Sequence, residues 1–140
     1  MGALKEFDRT VNTSEKWIIE VSEELGTDDY SKALQGFRAT IHVLRDRVKV
    51  NDATNLGSQL PVLLAGYYYE GWNPAEVPVA HRNKKDFLDA VQLNIQNLSH
   101  SLDANECVPA VLSVLSKRIS DGQMNKIKSN MPDDLLELWP

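Results

Sequence analysis

The chain has 140 residues, 42% of them hydrophobic and 25% charged, with a net charge of −5, which suits one globular domain with a buried core. No apolar run approaches the ~20 residues of a membrane span, and the opening MGALKEFDRT reads neither as a secretory signal nor as a myristoylation signal. The acidic balance repels phosphate backbones, so nucleic acid is not an expected partner; the single cysteine, Cys107, excludes an intramolecular disulfide and suits a reducing cytoplasm.

The predicted elements are all helical. Asn12-Thr13-Ser14-Glu15 has capping-box spacing, and Trp17, Ile18, Val21 and Leu25 follow at helical intervals. Gly26 ends that helix, and Asp28 or Asp29 caps a long second one. Its apolar positions 34, 37, 41, 44 and 48 step by three and four, a core-facing stripe. Asn51 or Asp52 opens a short helix that Gly57 weakens. Pro61 suits the first turn of a fourth, which runs through Tyr67, Tyr68 and Tyr69 to Gly71. A linker with Pro74 and Pro78 occupies 73–82.

The second half copies the first. Asn83-Lys84-Lys85-Asp86 precedes Phe87, Leu88, Val91, Leu93 and Ile95. Asp103-Ala104-Asn105-Glu106 resembles a capping box, followed by the stripe Val108, Leu112, Leu115 and Ile119. Pro109 is expected to delay or kink that helix. Ser120-Asp121-Gly122-Gln123 marks a seventh helix, and Pro132 with Asp133 and Asp134 an eighth. A shift of 71 lays 39–68 on 110–139 without a gap: Ala39 on Ala110, Val43 on Val114, Leu44 on Leu115, Arg47 on Arg118, Pro61 on Pro132, Leu64 on Leu135 and Tyr68 on Trp139. A shift of 70 sets Trp17 on Phe87 and Val21 on Val91. The expected fold is therefore all-α, about eight helices in two pseudo-symmetric four-helix repeats, 13–72 and 83–139, within one compact domain spanning 1–140.

The segments FDRTVNTSEKW, VLRDRV, LGSQLPVLLAGYYYEGW and VLSVLSKRIS through to DDLLELWP resemble a bacterial family of uncharacterised proteins, domain of unknown function 2267. The resemblance covers nearly the whole chain. It implies a compact helical protein of the bacterial cytosol and lends no catalytic residue.

Two features are candidate sites. The first is GYYYEGW at 66–72, the densest aromatic cluster. Consecutive helical residues point about 100° apart, so the three tyrosines cannot all face the core. Tyr68 recurs as Trp139, which argues for a packed corner. If the cluster is a ligand or partner platform, Tyr67, Tyr69 and Trp72 carry it, because the second half lacks aromatics there. The second feature is a basic stripe, Arg38, His42, Arg45 and Lys49, spaced four, three and four. It reads as an anion site, or as a face neutralised by Glu20, Glu23 and Glu24 of the preceding helix. Arg47 and Arg118 recur in the last turns of the long helices, where they suit the dipole and the open carbonyls. Lys117, Arg118, Lys126 and Lys128 read as a solvated basic face.

Catalysis has little support. His42, His81 and His100 are scattered, and no metal-binding His or Cys spacing occurs. Cys107 reads as a buried, inert thiol. No cofactor is expected. The first expectation is a non-enzymatic cytosolic interaction or adaptor module that binds a protein partner or its own copy. The alternative is a small-ligand pocket between the two repeats. A third reading is anion or nucleic-acid binding through the Arg38 stripe.

Overall fold

A computed structural model of the chain describes residues 2–79, 83–96 and 101–140. Among the described residues the structure is all-helical. The elements are α1 (Lys5–Leu25), α2 (Tyr30–Arg47), α3 (Val50–Ser58), α4 (Val62–Tyr69), α5 (Lys84–Gln96), α6 (Ala104–Arg118), α7 (Asp121–Ser129) and α8 (Asp133–Leu136), with a short 3-10 turn at Pro74–Glu76.

The caps follow the side chains. Asp29 accepts the Lys32 N–H at 3.0 Å and starts α2. Asn83 accepts the Asp86 N–H at 2.9 Å ahead of α5. Asp103 and Ser120 cap α6 and α7 in the same way. Each satisfies a donor that the first helical turn leaves open.

Five local expectations are corrected. α1 begins at Lys5, so the pattern at 12–15 lies inside the helix and caps nothing. A Ser or Thr cap needs extended backbone. Here Thr10 is helical and its hydroxyl accepts the Leu63 N–H at 3.1 Å, tying the first turns of α1 to α4. α3 opens at Val50, and Lys49 falls outside α2. α4 ends at Tyr69, before Gly71. Pro109 does not delay α6, which starts at Ala104.

α2 is the centre of the fold and packs against α1, α4, α5 and α6. Its stripe is buried as its spacing predicts: Phe37, Ile41, Leu44 and Val48 are enclosed and Leu34 is half-buried. Each fully buried side chain of this size contributes roughly 1.5–3 kcal/mol. α6 supplies the facing layer, with Val108, Val111, Leu112 and Leu115 fully enclosed. The two helices cross closely at Gly36, where an added Cβ would lie 3.0 Å from Leu102 and 3.2 Å from Cys107.

α3 and α7 also touch, through paired polar bonds. The Lys49 N–H donates to Asn130 Oδ1 at 3.2 Å, and the Ser120 N–H donates to Gln59 Oε1 at 2.8 Å. Residues 49 and 120, like 59 and 130, are separated by the 71-residue shift.

Cys107 is fully enclosed, with Thr40 Oγ1 at 3.8 Å from its sulfur. Burial pushes its thiol up to about 11, against the smaller opposing effect of Thr40. A protonated, enclosed thiol is a poor nucleophile. Aromatic disulfide reagents are therefore expected to label native Cys107 no faster than the chain unfolds. Rapid labelling in buffer that keeps the native circular dichroism would contradict this burial.

Candidate functional site

The two candidate features meet. α4 has only eight residues, and its last four carbonyls have no partner within the helix. The basic stripe of α2 lies alongside them. His42 Nε2 contacts the Tyr67 carbonyl at 2.6 Å. Arg45 Nη1 donates to the carbonyls of Tyr68 and Glu70 at 2.7 and 2.6 Å. The Tyr69 carbonyl accepts the Trp72 N–H at 3.2 Å as the chain turns back. That reversal passes through Gly71 at φ 70°, a left-handed conformation that suits glycine.

Arg45 is only 3% exposed. Its Nε and Nη2 grip the Asp46 carboxylate at 2.8 and 3.1 Å, a two-pronged charged pair. Asp46 in turn offers its carbonyl to the Val79 N–H at 2.7 Å. The guanidinium thus joins α2 to the end of α4, and the Asp46 backbone ties Val79 to the same place. Arg38 stacks on the Tyr67 ring at 4.6 Å and pairs with Glu70 at 3.1 Å.

His42 and Arg45 Nη1 are turned onto backbone carbonyls, while Arg38 and the other Arg45 donors bind the carboxylates of Glu70 and Asp46. The α1 charges expected to neutralise the stripe lie elsewhere. Glu20 and Glu24 of α1 pair with Arg118 and Lys117 of α6. Arg118 therefore binds a carboxylate rather than the carbonyls at its own helix end. Exposed pairs of this kind are weak, because water and salt screen them.

The aromatics divide as a helix requires. Tyr68 is fully buried and donates its hydroxyl to the Ala53 carbonyl at 2.6 Å. Tyr67 and Trp72 are half-buried against the core, and Tyr69 lies at the surface. The Tyr68 and Tyr69 rings meet edge to face at 5.0 Å, and Trp72 lies tilted against Tyr69 at 5.4 Å. Trp139, 71 residues after Tyr68, also packs against the core, with Lys128 over its ring at 5.8 Å.

Burial holds the His42 imidazole below its ordinary 6.5; the Tyr67 carbonyl opposes this, Arg45 and Arg38 add to it, and Glu70 opposes it. The folded chain resists a proton that the unfolded chain accepts. Stability from this group is complete above about pH 6.5 and is lost as pH falls below it. His42→Gln keeps an N–H for the Tyr67 carbonyl and does not titrate. Between about pH 7.5 and about pH 5 the wild type is expected to lose more melting temperature than this variant. Equal losses would show that His42 contributes nothing to the acid sensitivity.

A groove of about 400 Å³ opens beside this corner between α2 and α5, with His42, Asp46, Glu70, Leu93 and Asn94 in its wall. Among the described residues, no group of three or more His, Cys, Asp or Glu is placed to hold a metal, and no helix is long and apolar enough to cross a membrane. His81 and His100 lie outside the described residues.

An exposed apolar surface lies elsewhere and was not among the sequence candidates. Leu4, Phe7 and Val11 on α1 and its lead-in, with Val62 and Leu63 at the start of α4, are all exposed. The bond between Thr10 and Leu63 brings the two groups together. A groove of about 320 Å³ lies at Val62, walled also by Glu6, Arg9, Thr10, Thr13 and Pro61. The signal was present: positions 4, 7, 11, 14, 18, 21 and 25 keep helical spacing through the false cap.

A family profile described as "Uncharacterized conserved protein (DUF2267)" matches residues 14–138. The chain belongs to this family. A search of curated proteins found no match. Within the DUF2267 match lie both the aromatic corner and the whole α2 stripe, while Leu4, Phe7 and Val11 precede it.

Proposed function

We propose that this DUF2267 protein is a non-enzymatic cytosolic interaction module that works through the apolar face of α1 and α4. The observation that carries this is the pair of exposed apolar groups tied together by the Thr10–Leu63 bond, with Phe7 64% and Val62 78% exposed, on a folded and otherwise well-packed chain. A contiguous apolar face of several hundred Å² on a folded protein marks an interaction surface. The aromatic corner takes a supporting role: Arg45 and His42 fix the end of α4 and so the position of the face at its start. The two halves read as copies of one unit, which the reciprocal Lys49–Asn130 and Ser120–Gln59 bonds support. α5 starts later than α1 in that comparison, so the apolar overhang belongs to the first half alone.

The test is a photoreactive phenylalanine analogue at position 62, activated in the cell that makes the protein. A polypeptide adduct supports the module. Recovery of the unmodified chain alone, with a position 30 analogue behaving the same way, would count against it.

The groove between α2 and α5 favours a second reading, a small ligand held between the halves. Native mass spectrometry of the gently purified protein tests it. A stoichiometric extra mass that His42→Ala removes supports that reading; the bare chain mass would end it.

A further inference from the structure

We infer that the occupant of the α1/α4 face is a second copy of this chain, the two α1 helices packing antiparallel about a twofold axis near Phe7 and Val11. This rests on the interaction reading above and names the partner.

Three observations carry it. The first is geometric. On α1 the exposed Phe7 and Val11 continue the stripe whose later members, Ile18 and Val21, are buried. The helix is 21 residues long, about 31 Å. Its core-facing side overshoots the body that covers it, so the same side is sealed at one end and open at the other. Single exposed apolar residues are ordinary, but a core stripe that continues into solvent has an uncovered partner face.

The second is area. At roughly 200 Å² for each large side chain, the exposed fractions of Leu4, Phe7, Val11, Val62 and Leu63 amount to about 500 Å². A standard interface buries about 800 Å² on each partner, and in homodimers about 65% of it is apolar. That is again about 500 Å², so one patch per copy supplies the apolar part of a dimer interface.

The third is charge. The whole chain carries −5, which would drive two copies apart. Around the patch, however, Lys5, Arg9 and Lys16 balance Glu6, Asp8 and Glu15. The rim is neutral, so self-pairing meets no net repulsion there, and a strongly basic or acidic partner gains nothing from it. A twofold contact requires one self-complementary patch. An axis through the middle of the 7–11 turn meets this requirement, because it sets Phe7 of each copy against Val11 of the other.

Sedimentation equilibrium of the full chain up to about 100 μM tests the proposal. The wild type is expected to be a monomer–dimer system with a dissociation constant in the micromolar range. Phe7→Glu and Val11→Glu, each placing a charge in the apolar contact beside the twofold, should weaken it about 100-fold or more. Tyr30→Glu, at an exposed site at the other end of α1, should leave it unchanged. Circular dichroism and melting of each variant separate lost pairing from lost folding. A wild type monomeric at about 100 μM overturns the second copy as occupant. So does a dimer that survives both charge variants. The photoreactive adduct at position 62 then decides the broader reading separately: an adduct with another protein keeps the module and removes the dimer, and no adduct removes both.

Discussion

Arg45→Met is expected to destabilise the protein by about 3 kcal/mol, the largest loss for any single polar side chain at the aromatic corner. The arginine is enclosed, and its donors reach two carbonyls and a carboxylate. Methionine fills similar volume but donates nothing. The carbonyls of Tyr68 and Glu70 lose their charged donor inside the fold, and Asp46 loses its counterion. An unsatisfied buried acceptor costs about 1–3 kcal/mol, and breaking a buried charged pair about 3–5. Asp46 is one-third exposed, so the lower end of that range applies. Arg45→Lys should recover only part of the loss, because three donors on one nitrogen cannot span acceptors that a planar fork reaches. Urea denaturation of the three proteins measures this. A methionine variant within about 1 kcal/mol of wild type would mean that the corner is held by its apolar packing alone.

The role of Arg45 was not legible in the sequence, while the stripe that contains it was. Spacing of four and three places Arg38, His42 and Arg45 on one face of α2, and they do share it. What that face meets depends on the tertiary path of α4, whose carbonyls lie 23 to 25 residues away in the chain. Helical periodicity reports burial, which repeats every three to four residues; it does not report polar partners brought together by a turn elsewhere. The apolar stripes of α2 and α6 could be read because burial alone selects them. The start of α1 departs from its local sequence pattern for the opposite reason. Asn12-Thr13-Ser14-Glu15 has local capping chemistry, but the long-range contact of Thr10 with Leu63 and the continuing stripe outweigh it. Ser14 ends buried inside the helix, its hydroxyl without a partner among the described residues. Propensity yields to packing where the two disagree.

Gly57→Ala should run against the usual helix rule and destabilise by about 2 kcal/mol. In an open helical position alanine is better than glycine by about 1 kcal/mol. Gly66 on α4 is such a position: an added Cβ meets nothing within 4 Å. Gly66→Ala should therefore stabilise the protein by up to about 1 kcal/mol. Gly57 lies under the tyrosines. An added Cβ there would sit 2.6 Å from Tyr69 Cζ, closer still to its hydroxyl oxygen, and 3.0 Å from Tyr68 Cε2. Tyr68 cannot yield, because its ring is enclosed and its hydroxyl is bound to Ala53. Tyr69 can yield only by giving up its bond to the Thr54 carbonyl and its edge contact with Tyr68. The cost should thus depend on the Tyr69 ring. In a Tyr69→Ser background, Gly57→Ala should lose most of its penalty, a coupling of about 1–2 kcal/mol in the double-mutant cycle. If both glycine substitutions stabilise alike, the close approach of α3 to the aromatic corner is wrong. If Gly57→Ala costs the same with and without the tyrosine, Tyr68 alone sets the limit, and the glycine serves the core rather than the surface ring.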